Sequence, residues 1–77
     1  MHNENRWYRG LVHSPLFTKI YYMYYAQGKF EYYQFDYHPE KVRLKRVDLA
    51  ENEVMIESLL IADKECETLS KLEKITD

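Results

Sequence analysis

Seven of the chain's eight tyrosines fall between Tyr21 and Tyr37, in the stretch YYMYYAQGKFEYYQFDY. A phenol ring can pack, stack on a base, donate a hydrogen bond or, held in a pocket, relay a proton. The other residues able to do chemistry are sparse. His2, His13, His38 and Cys66 are the histidines and the cysteine, and no two share a local metal-ligand spacing. No metal or cofactor is therefore expected. Cys66 falls on an apolar helical stripe, where a thiol behaves as a small inert hydrophobe. Ser14 precedes a proline, and neither Ser58 nor Ser70 has a nearby His and Asp to activate it. Glu51, Glu53, Glu57, Asp63, Glu65 and Glu67 are spread around the predicted helix rather than paired, as solvating carboxylates are. There is no phosphate-cradling glycine loop. These patterns argue against an enzyme. The remaining catalytic option is a site shared between subunits and lined by tyrosine hydroxyls with His38 or His13.

The bulk numbers bound the frame that positions these residues. At 77 residues the chain reads as a single small domain, 1–77, with a thin core. Hydrophobic residues make up 45% and charged residues 31%, a globular rather than a disordered composition. The net charge of −2 provides no global attraction to phosphate backbones. One cysteine makes no internal disulfide, and the N-terminus reads as neither signal peptide nor membrane span, so a cytoplasmic location is expected. The polar residues 1–5 are expected to fray.

Phe30 to Leu49 reads as a hairpin turning at His38-Pro39-Glu40-Lys41, with Tyr37 facing Val42, Phe35 facing Leu44, Tyr33 facing Arg46 and Asp36 facing Arg43. Gln27-Gly28 supplies a second, two-residue turn that sets Tyr24, Tyr22, Ile20 and Thr18 against Glu31, Tyr33, Phe35 and Tyr37. A competing reading makes residues 15–27 an amphipathic helix, with Ser14 as N-cap, Pro15 in the first turn and Gly28 at the C-terminus. The strand reading fits the cross-strand rows and the Tyr- and Ile-rich composition better. Arg6 to Val12 adds a possible fourth, edge strand. From Asp48 the pattern changes: Asp48 and Glu51 resemble a capping box, and the following run of helix formers lacks Gly and Pro. The predicted fold is α+β: a three- or four-stranded antiparallel meander over 6–49, then one long C-terminal helix over 50–75. The near-continuous apolar character of Val54 to Ile61 leaves strand open for 53–62.

This arrangement predicts where a partner binds. One sheet face would carry Tyr21, Met23, Tyr25, Phe30 and Tyr32 toward water. A helix of ~39 Å would overhang strands of ~27 Å and leave Leu69, Leu72 and Ile75 uncovered. Both features point to a small non-enzymatic interaction or regulatory protein acting as a homodimer and binding another protein. The alternative is single-stranded nucleic-acid binding, with Tyr21 and Tyr32 stacking bases beside Arg43 and Lys45. A membrane role is disfavoured because the helix is mixed in charge with a slight acidic excess.

Overall fold

The computed structural model describes residues 4–76. Six strands form one sheet in the order β5-β1-β2-β3-β4-β6. They are β1 (Arg6–His13), β2 (Thr18–Ala26), β3 (Lys29–His38), β4 (Lys41–Val47), β5 (Val54–Leu60) and β6 (Lys74–Ile75), with a single helix, α1 (Asp63–Lys71), between β5 and β6. All neighbours are antiparallel except β4 and β6, which run parallel.

The two expected turns are present. Gln27 and Gly28 both take positive φ, 56° and 76°, as a two-residue turn matched to strand twist demands. The Glu4 carboxylate accepts the N–H groups of Gln27 and Gly28 at 2.8 and 3.2 Å, and Asn5 N–H donates to the Tyr25 carbonyl at 2.7 Å. Glu4 and Asn5 are thus tied to the sheet instead of frayed; the rest of the expected frayed segment, residues 1–3, lies outside the described residues. In the β3–β4 hairpin Tyr37 faces Val42, Phe35 faces Leu44 and Asp36 faces Arg43. The β2–β3 ladder holds from Tyr22–Tyr33 to Ala26–Lys29 and stops there. The pairs Ile20–Phe35 and Thr18–Tyr37 do not form, although β2 pairs with β1 along all eight residues of that strand on its other edge. Residues 15–27 hold no helix.

The predicted meander followed by a long helix over 50–75 is wrong. Helix propensity differs among these residues by only tenths of a kcal/mol each, and one strand ladder outweighs it. β1, expected at the sheet edge, has an open flank that β5 fills, from Tyr8–Leu60 to His13–Val54 with a bulge between Leu11 and Val12. Glu53, not Asp48, makes the reciprocal bonds in this region: its N–H donates to the Ala50 carbonyl at 3.0 Å and its carboxylate accepts the Ala50 N–H at 2.9 Å. These bonds close a turn instead of starting a helix. Among the described residues, only Asp63–Lys71 is helical, with Asp63 and Glu65 in its first turn and Lys71 in its last, complementing the dipole.

Strand order makes the chain cross the sheet twice. Residues 48–53 run from β4 to β5 over one face, where Leu49 packs with Tyr8, Val12, Tyr21 and Met23. Residues 61–73 return over the other face through α1, where Ile61 and Leu69 pack on Trp7, Tyr33 and Leu44. Each face therefore receives its own cover, and the core forms in two layers.

Candidate docking surface

The five residues expected on an open aromatic face are interior. Tyr21 is 3% exposed and Met23 1%, while Tyr25, Phe30 and Tyr32 are half-buried around them. The rings meet edge to face, Tyr21 on Tyr32 at 6.3 Å and Tyr25 on Phe30 at 4.9 Å between centroids. Sequence reasoning leaves this side bare because it does not contain the 48–53 crossing. Glu53 anchors that crossing: its side chain is 4% exposed, and its carboxylate pairs with Lys19 Nζ at 2.9 Å and accepts the Tyr21 hydroxyl at 3.3 Å. The Ala50 N–H and then Lys19 hold the Glu53 carboxyl below its ordinary value. Burial, then the same carboxylate, raises the Tyr21 phenol.

The helix end is no overhang either. Leu69 is 2% exposed, and Leu72 and Ile75 are half-buried, Ile75 within β6 beside Lys45. Arg43 is held by Asp36 at 2.6 Å. Tyr21 and Tyr32 thus pack against each other, Tyr21 buried and Tyr32 half-buried, and Arg43 is already paired.

The two described histidines do not converge. His13 ends β1 opposite Thr18, and His38 ends β3 opposite Lys41, its Nδ1 accepting the Glu40 N–H at 3.3 Å. His2 lies outside the described residues. Cys66 is half-buried on α1, its Sγ 3.4 Å from the Ile61 carbonyl. Among the described residues, no three His, Cys, Asp or Glu side chains gather as metal ligands.

Exposed apolar surface lies elsewhere, on residues that sequence reasoning did not single out. Val54, Ile56, Leu59 and Leu60 of β5 are all exposed, Ile56 at 57% and Leu60 at 60%. Leu16, 87% exposed, and Phe17 project from the β1–β2 turn, which the Ser14 hydroxyl fixes by donating to the Phe17 carbonyl at 2.6 Å. A surface depression of about 350 Å³ joins Leu16 and Phe17 to Ala50, Asn52 and Glu53, the residues that lead into β5. β5 is also the end of the sheet, and among the described residues nothing pairs with its outer backbone. The available signal was the sequence VMIESLL, apolar on both sides of a strand, which buried helices share.

No family model matches this chain, and neither a curated protein nor a solved structure does. Its geometry alone carries the functional reading. No helix among the described residues is long and apolar enough to cross a membrane.

Proposed function

We propose that this chain is a small, non-enzymatic interaction protein of the cytoplasm that works as a homodimer and presents its remaining surface to another protein. One observation carries the reading: four large apolar side chains, Val54, Ile56, Leu59 and Leu60, stand in water on a single seven-residue strand. Scattered exposed apolar residues are ordinary, but a contiguous set on an unpaired edge is a template for association. No observation favours the nucleic-acid alternative, given the seating of Tyr21 and Tyr32.

Light scattering on the full chain at micromolar concentration tests the proposal. The expected mass is twice 9.4 kDa. A single-chain mass across that range removes the homodimer.

A further inference from the structure

The edge of the sheet offers more than hydrophobicity, because it also fixes how a second copy fits. We propose that two copies of this chain pair antiparallel along β5 with Ser58 on the two-fold axis, joining two six-stranded sheets into one. The inference rests on the homodimer reading above and specifies its interface.

Neighbouring residues of a strand point to opposite faces, and residues directly across a ladder share a face. The β1 register puts Glu57 opposite Leu11 and Leu59 opposite Arg9 on the helix side, with Ser58 opposite Gly10 and Leu60 opposite Tyr8 on the other. A two-fold axis normal to the sheet preserves the faces, so one of Glu57, Ser58 or Leu59 must meet its own copy near the strand centre. Centring on Glu57 opposes two carboxylates in adjacent positions, which is repulsive. Centring on Leu59 brings the two Arg9 side chains toward each other across two leucines.

Centring on Ser58 removes both conflicts. Leu59 then faces Glu57 of the partner subunit, on the regular stretch of β5 that follows the bulge at Ile56. The row on the helix side reads Arg9, Leu59, then Glu57 of the partner subunit. Two strand spacings separate the outer members by about 10 Å, within the joint reach of an arginine and a glutamate laid over a leucine. Both charges are available for this. Neither the Arg9 nor the Glu57 side chain has an ion-pair or hydrogen-bond partner among the described residues, and Arg9 Nε is buried without one. The axis makes the pairing occur twice. Glu57 is the only charged residue of β5, so its position determines the register.

The test is a charge exchange measured by light scattering and sedimentation on the full chain, with circular dichroism to confirm folding. Arg9→Glu and Glu57→Arg are each expected to weaken dimerisation by about tenfold or more, since two attractive contacts become repulsive in each. The double exchange is expected to restore wild-type association to within a few-fold. A folded Ile56→Lys variant, which puts a cation on an exposed edge position, is expected to be monomeric. A monomeric wild type overturns the homodimer reading itself. A dimer indifferent to Arg9→Glu, Glu57→Arg and Ile56→Lys leaves that reading standing and overturns edge pairing. Weakening by both single exchanges without restoration by the double overturns the Ser58-centred register.

Discussion

The two crossings of the sheet do the same topological job with different chemistry. The helical crossing is seated through apolar contact: Trp7, 1% exposed, lies beneath Ile61 and Leu69 and donates its indole N–H to the Ser70 hydroxyl at 3.0 Å. The loop crossing adds to the apolar contact of Leu49 a buried carboxylate, Glu53, that gathers Ala50, Lys19 and Tyr21. The edges they deliver differ as well. β6 is two residues long and preceded by Glu73, which pairs with Lys41 at 2.6 Å, so a short, charged segment guards that side. β5 is seven residues long and apolar on both faces. An edge meant to stay alone looks like the first, and an edge suited to a partner looks like the second.

Substitutions in the two crossings and the two edges separate their contributions. The largest effect is expected at the helical crossing: Trp7→Ala should cost ~3–5 kcal/mol in urea unfolding, because it empties the site on which α1 rests. A loss below ~1 kcal/mol would show that α1 is held by something other than this ring. Next is the seam that carries β5. A Cβ at Gly10 would overlap Met23 Sδ and come within 3.0 Å of Met55 Sδ and Cε. Gly10→Val should cost ~1–3 kcal/mol and speed amide exchange in β5, while β3 and β4 keep their protection. Uniform acceleration across all strands would erase the distinction between the edges.

The loop crossing should reveal itself through pH. The Glu53 carboxyl is held below its ordinary 4.5 in the folded chain, first by the Ala50 N–H and then by Lys19. Its contribution is therefore full above that value and is lost as pH falls through the lower folded value. Glu53→Gln should lower the urea midpoint near neutrality and flatten its fall below pH 4.5, measured against wild type. A variant whose midpoint falls as steeply as the wild type's would deny Glu53 its anchoring role. The smallest effect belongs to the guarded edge. Lys41→Ala should leave the neutral-pH midpoint unchanged within error, since both members of the Lys41–Glu73 pair are half exposed.

Local chemistry made the two hairpins readable. Gln27-Gly28 and His38 to Lys41 each constrain a few neighbouring residues, and the rows they imply alternate sensibly between apolar and polar. The last third misled for the opposite reason. Helix formers from Ala50 onward favour a helix, although the near-continuous apolar run of Val54 to Ile61 leaves strand open, and the partner that decides it is a strand some fifty residues earlier, which no short window contains. The docking edge was invisible as a direct result. Tyr21 and Met23 look exposed until residues 48–53 are known to cross them, and Ile56 looks like core until β5 is known to be the end of the sheet.

Trp7 is the sole tryptophan, with Tyr24 and Tyr33 at 4.9 and 5.5 Å and the Lys74 ammonium 5.6 Å above its ring. The molecule thus contains its own optical gauge. Excited tyrosines can hand their energy to an indole that sits dry beneath α1, and any lifting of the helix wets the emitter and reddens its fluorescence.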